Sequence, residues 1–384
     1  MDRLRIRGLV ILIAGVSVAG ITIFWWYSGR PAERFRRSMI ALQSGSLETV
    51  NQEVAELKKY PEYQSHVQFL EGAALLRAGQ LDEAIRVFSV EPPFGEMRLA
   101  TLLLTGESLY RLGRLSEAEA LFRDLVAEQP QDPELHRWLA TIYYDLGALA
   151  EAIEHLIVLV ELKPDDYRPL WLLGHLHFDF EYYELAVARF RQALALAPPA
   201  DQRIEITTKL GRALVRQRDY SEALKVLADV SLTPEILVLQ AESYLAVGNR
   251  GQAEELLSQA EALDSSYLQL FVLKGRMLLE DGQAELALPL LKKAVGLDPH
   301  NYETRYQLSQ ALQRLGDKDA AEAELSQMKK SKELREKLTK LHFEAFSRPR
   351  DPEIRQQLAE VCTQLGKPEL AEMWQQAADT YRQE

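Results

Sequence analysis

Gly45, Gly79, Gly113 and Gly147 stand 34 residues apart, and each lies between two amphipathic runs. The same step returns at Gly248, Gly282 and Gly316. The phrases around these glycines match: Arg-Ala-Gly-Gln-Leu-Asp-Glu-Ala at 77–84, Arg-Leu-Gly-Arg-Leu-Ser-Glu-Ala at 111–118 and Asp-Leu-Gly-Ala-Leu-Ala-Glu-Ala at 145–152. A repeat of this length holds two helices and a turn, and such a unit cannot bury its apolar face alone. It must stack on its neighbours, which makes the body all-α and leaves no residues for a second folded domain.

With the turn glycine as position 15, units begin at Pro31, Ser65, Leu99, Pro133, Tyr167, Ile204, Pro234, Leu268, Tyr302 and Pro352. Position 8 is small throughout: Gly72, Gly106, Ala140, Gly174, Gly211, Ala241, Gly275, Ser309 and Ala359. Position 20 is alanine in every unit after the first, from Ala84 to Ala371. Position 24 is large and apolar (Phe88, Phe122, Leu156, Phe190, Leu227, Leu257, Leu291, Leu325) and is expected to fill the gap between repeats. Pro130, Pro164, Pro198 and Pro299 stop the second helix in four units. Small at 8, alanine at 20 and a period of 34 resemble the tetratricopeptide repeat (TPR) family. The resemblance implies a right-handed α-solenoid of about ten helix pairs, with first helices lining a concave face that binds proteins.

Departures from the pattern set the expected boundaries. Residues 28–64 form a juxtamembrane segment and a degenerate capping repeat, with Val50 in the alanine slot. The array proper is 65–328, with units starting at 65, 99, 133, 167, 204, 234, 268 and 302. Glu181 and Arg218 replace the turn glycine, and the spacing of 37 before Ile204 and 30 before Pro234 is expected to dislocate the stack. Phase is lost after Met328. Residues 329–351 read as an extra amphipathic helix (Leu334, Leu338, Leu341, Ala345) and a turn, before a terminal capping unit at 352–384 that closes the stack.

A different logic governs the N-terminus. Residues 8–27 are 20 residues without a charge, about 30 Å as a helix and enough to cross a bilayer. Trp25, Trp26 and Tyr27 fall at one end, and arginines bracket both. This segment reads as a retained signal-anchor after a basic tail at 1–7. Cleavage near Ala19 would leave the apolar run Ile21–Tyr27 as a new terminus. The expectation is a single-pass protein of the cell membrane with its body on the extracytoplasmic side. Gly15 and Ala19 have the spacing of a helix-dimer motif, which raises a homodimer through the span.

Charge and composition exclude several chemistries. The chain is net −12 while residues 1–37 are net +5, so the body is acidic and ill suited to nucleic acid. One cysteine, Cys362, rules out an intramolecular disulfide or a cysteine-based zinc site; at position 11 it reads as a buried small hydrophobe. His175 and His177 sit two apart on a helix and point to different faces, and no HExxH is present. Acid pairs such as Asp165-Asp166 read as solvated surface. No phosphate-binding glycine loop is found. No catalytic residue, metal site or cofactor is expected.

Function is therefore expected on positions 2, 5, 9 and 12 of the first helices. There Tyr110, Tyr144 and Phe178 make an aromatic ladder, beside Arg137, Thr141, Arg168, Trp171, His175 and Arg212. Aromatic rings and arginine dominate protein-binding hot spots, so an extended peptide or partner helix is the expected ligand, its acidic groups meeting the arginines. No unit has the lysine and asparagine pair by which the family clamps chaperone tails. The expected role is a membrane-anchored scaffold, similar to bacterial anchored repeat proteins that assist envelope or secretion assembly. An integral subunit of such a complex is the alternative. An enzyme with a pocket around His175 and a spacer without a partner complete the set.

Overall fold

The computed structural model describes residues 30–90, 95–348 and 350–382, so the expected span at 8–27 lies outside the described residues. Twenty α-helices and no strand are found among the described residues, and none of these helices is long and apolar enough to cross a membrane. The chain divides into two compact units, residues 1–130 and 131–384.

The first unit holds α1 (Arg30–Ser44), α2 (Leu47–Leu57), α3 (Gln64–Arg77), α4 (Leu81–Ser89), α5 (Arg98–Arg111) and α6 (Leu115–Glu128). The second holds α7 (Pro133–Asp145), α8 (Leu149–Leu162), α9 (Tyr167–Asp179), α10 (Tyr183–Ala195), α11 (Ala200–Gln217), α12 (Tyr220–Leu227) and α13 (Pro234–Ala246). It continues with α14 (Arg250–Leu263), α15 (Leu268–Glu280), α16 (Ala284–Leu297), α17 (Tyr302–Arg314), α18 (Lys318–Ser347), α19 (Pro352–Gln364) and α20 (Pro368–Arg382).

Local chemistry sets the helix ends. Asp132, Asp166, Thr233, Asn301 and Asp351 cap first helices by accepting backbone N–H groups, and proline opens α7, α13 and α19. The turn glycines take positive φ, from 64° at Gly147 to 85° at Gly316. Glu181 and Arg218 take the same left-handed conformation, at 62° and 66°, in spite of their side chains. The turn geometry is thus kept where glycine is lost.

The repeat positions are coupled in space. A Cβ added to Gly72, Gly106 or Gly174 would clash with the ring of Phe88, Phe122 or Phe190, the position-24 residue of the same unit. Position 24 therefore rests on its own first helix, and Phe190, Leu257 and Leu291 also share buried clusters with the first helix of the following repeat. The alanines at position 20 from Ala84 to Ala287 are fully buried. Leu325 is an exception at position 24, being exposed. Because Phe122 is rigid and surrounded, Gly106→Ala should cost about 1–3 kcal/mol through overpacking, read as a shift of the urea midpoint at unchanged slope.

Two expectations are corrected. The spacing change around Ile204 does not dislocate the stack: α11 is lengthened to 18 residues and α12 shortened to 8, and one buried cluster runs from Leu170 to Leu239. The extra helix at 329–351 is no separate element either. It continues the second helix of the 302 unit without a break, as the 30-residue α18. Its Leu341 and Ala345, flanked by Leu334 and Leu338, pack with Ile354, Leu358, Cys362 and Trp374 of the last pair.

The last pair does more than end a stack. The Arg355 Nε–H donates to the carbonyl of Leu146, 3.0 Å away and 209 residues earlier in the chain. The indole of Trp374 covers Gly147 where a Cβ would stand, whereas Gly113, Gly248, Gly282 and Gly316 face open space. His342 lies between them and α9, its ring 5.7 Å from Trp374 and 5.9 Å from Phe180. The second unit thus returns to its own first repeats.

Candidate functional site

The proposed contact residues sit on α5, α7, α9 and α11. All nine are half-buried, so each ring or head group shares its surface between neighbouring protein and solvent. Tyr110 lies in the first unit, on α5. The other eight belong to the second unit.

On α7 the Arg137 Nη1 donates to both carboxylate oxygens of Glu134, at 2.6 and 2.7 Å, and the Thr141 hydroxyl returns to the Arg137 carbonyl at 2.9 Å. On α9 the Arg168 Nε and Nη2 grip Asp166 at 2.7 and 2.6 Å, the same aspartate that caps the helix. Burial alone would raise the Asp166 carboxyl, but hydrogen bonds from the Arg168 side chain and backbone outweigh it and hold it below its ordinary value. The charge of Arg137 acts in the same direction, which brings the ends of α7 and α9 into one network. Arg212 pairs with Glu235 of α13. Each of the three arginines is thus already bound to a carboxylate of the chain. A ligand carboxylate would therefore have to displace a partner that each arginine already holds.

The rings form a second layer. Trp171 meets His175 edge-on at 5.0 Å, and His175 meets Phe190 at 5.6 Å. Phe178 packs against Tyr183 at 5.5 Å. Tyr144 leans on the cluster of Ala140, Leu156, Leu159, Leu173 and Leu176. The Trp171 Nε1 is buried without a hydrogen-bond partner among the described residues, an indole N–H left free by the fold. These rings therefore serve packing as well as presenting a face.

No group of three or more His, Cys, Asp or Glu side chains able to hold a metal ion occurs among the described residues. Histidines do pair: His136 and His155 bring their Nδ1 atoms to 2.8 Å, and burial followed by the charge of His136 lowers His155 to about 4. Cys362 is fully buried, as its position in the repeat implied.

What sequence reasoning missed is the return contact. The available signal was α20, which carries Trp374, Ala377, Ala378 and Tyr381 on a broad apolar face where a terminal cap needs a polar one. Arg355, the one arginine among the described residues with no accessible surface, sets its guanidinium 4.6 Å over the Tyr381 ring.

Comparison with known proteins agrees with the repeat geometry. Tetratricopeptide repeat profiles match residues 103–167, 167–199, 238–302 and 278–341, together just over half of the chain. Among curated proteins, the chain is similar to DnaJ homolog subfamily C member 3 of Gallus gallus, 27% identical over 50% of this chain and 41% of that protein. It is also similar to the BBSome complex member BBS4 of Bos taurus, 23% identical over 69% of this chain and 49% of the relative. The chain thus spans less than half the length of these relatives. A solved tetratricopeptide repeat protein from Parabacteroides merdae aligns over 65% of this chain and 99% of its own, at 19% identity and a TM-score of 0.43. The turn glycines, the glycine–ring pairs and these profile matches agree: the chain belongs to the tetratricopeptide repeat family.

Proposed function

We propose that this protein is a scaffold tethered to the cell membrane by residues 8–27, with its body outside the cytoplasm, binding partner proteins through the first-helix strip of α7, α9 and α11. The observation that carries the reading is the strip itself. It is a run of half-exposed Tyr144, Trp171, His175 and Phe178 on helices whose other faces are buried. Large rings with one free face bury much area at little entropic cost when a partner arrives. Tethering would hold partners at the membrane in one geometry and raise their effective concentration there.

Affinity purification of the detergent-solubilised full chain tests this, comparing wild type with Tyr144→Ala/Trp171→Ala. Circular dichroism checks the fold, since Tyr144 also packs. The expected result is a partner recovered with wild type and reduced about tenfold or more in the variant, as for loss of hot-spot rings. Undiminished recovery by the folded variant would move the site off this strip. A partner at fixed stoichiometry would favour an integral subunit of an envelope assembly over a free adaptor.

A further inference from the structure

A chamber of about 540 Å³ lies in the second unit between α18 and the helices α11, α12, α13, α15 and α17. That volume is in the range of cavities that hold a drug-sized ligand. Four cationic side chains line it: Arg216 and Arg218 from the end of α11, Arg276 from α15 and Lys332 from α18. Only two carboxylates, Glu242 and Glu303, face them. In a chain of net charge −12 this is a local excess of positive charge.

The state of these cations differs from that of the arginines described above. Neither the Arg216 nor the Arg218 guanidinium has a hydrogen bond or ion pair among the described residues. Arg276 stands 3.8 Å from Glu242 and 3.9 Å from Glu280, too far for a hydrogen bond, and Lys332 is 3.9 Å from Glu336. Arg137, Arg168 and Arg212 are all tightly paired. Arg216 and Arg218 thus stand in the chamber without a counter-charge, while Arg276 and Lys332 are only loosely paired.

Tyr302 and Tyr306 supply the rest of the wall, and Tyr306 is 49% exposed. A lining that mixes cations, two carboxylates and tyrosines suits a ligand carrying both carboxylates and N–H donors along with apolar surface. A peptide has all three. A polyphosphate has no donors for Glu242 and Glu303 and would be repelled by them.

We propose that this chamber binds an acidic peptide segment of a partner protein, its carboxylates taken by Arg216, Arg218, Arg276 and Lys332 and its apolar side chains set against Tyr302 and Tyr306. The proposal rests on the scaffold reading and adds a second docking point to it, one walled by α18. Because Arg216 and Lys332 are exposed and without tight partners, reversing their charge leaves the fold intact.

The test is fluorescence anisotropy on the detergent-solubilised full chain. The probe is a fluorescein-labelled Glu-Glu-Leu-Glu-Tyr-Glu peptide, with the analogue carrying lysine for glutamate as control. Saturable binding of the acidic peptide is expected, weakening as salt rises. It should fall about tenfold or more in Arg216→Glu/Lys332→Glu with unchanged circular dichroism. The lysine analogue should not bind. No saturable binding, or binding that the charge reversal leaves unchanged, overturns the proposal. So does ATP binding more tightly than the peptide and displacing it, which would make the chamber a polyphosphate site. The scaffold reading fails separately: it falls if the affinity purification recovers no partner, whereas a partner recovered equally by Arg216→Glu/Lys332→Glu removes only the chamber.

Discussion

Trp374→Ala should release the last helix pair from the first repeats of the second unit, at a cost of about 3–5 kcal/mol, the usual range for losing a buried aromatic side chain. Trp374 is 2% exposed and among the largest buried side chains of the protein. Its contacts run two ways, to Leu358 and Cys362 within the last pair and to Gly147 on the α7–α8 turn. Glycine substitutions separate the two. Gly248→Ala forces a left-handed alanine into open space and should cost about 1–2 kcal/mol from backbone strain alone. Gly147→Ala carries the same strain and also drives a methyl into the indole, adding about 1–3 kcal/mol of overpacking. The difference between the two glycine variants measures the return contact. Hydrogen exchange supplies the location: amides of α19 and α20 should lose protection in Gly147→Ala and keep it in Gly248→Ala. Equal costs and equal protection would mean that the last pair does not depend on the α7–α8 turn. Combining Gly147→Ala with Trp374→Ala should give less than the sum, since both remove one interaction.

Acidification should weaken the same region. Burial, with the positive charge of Lys367 added, lowers His342 to about 4 from the ordinary imidazole value of 6.5. Between those two values the unfolded chain binds a proton that the folded chain refuses. The contribution of the neutral ring is therefore complete above about pH 6.5, declines as pH falls toward 4, and is lost below it. The slope is about 1.4 kcal/mol per pH unit for one such group, or roughly 3 kcal/mol across the window at most. His155, lowered to about 4 by burial and by His136, adds a second loss of the same sign in the same unit. Urea denaturation from pH 7 to 4 should thus show midpoints falling steadily with acid. His342→Phe keeps a ring against Phe180 and Trp374 and should make the dependence shallower by about one proton. A pH profile identical to wild type in that variant would show that His342 takes up its proton over the same pH range in the folded as in the unfolded chain.

The candidate surface was only partly legible in the sequence. Positions 2, 5, 9 and 12 are first-helix positions by counting alone, and Tyr144, Trp171 and Phe178 do stand half-exposed on α7 and α9. What counting could not supply was the charge state of the arginines. Arg168 is held by the aspartate that caps its own helix, and Arg212 by Glu235 from the following repeat. Residue type shows that an arginine is present; only distance shows whether its charge is already spent. The unpaired cations at Arg216 and Arg218 escaped notice for the converse reason. Arg218 occupies a turn position, and the wall opposite it comes from α18, more than a hundred residues later.

The 34-residue units and the close approach of their two helices follow from sequence alone, because each rests on contacts within 34 residues. A glycine at position 8 makes room for a large side chain at position 24, and Gly174 with Phe190 and Gly211 with Leu227 satisfy this inside one unit whatever the rest of the chain does. The tertiary structure alone decided where the end of the array goes. Whether Trp374 reaches Gly147, and Arg355 the Leu146 carbonyl, depends on small rotations from one repeat to the next, summed over the repeats between them. It depends too on α18 running on for 30 residues instead of stopping at Met328. No single repeat encodes that sum, so a nearest-neighbour pattern foretells the stack and not its closure.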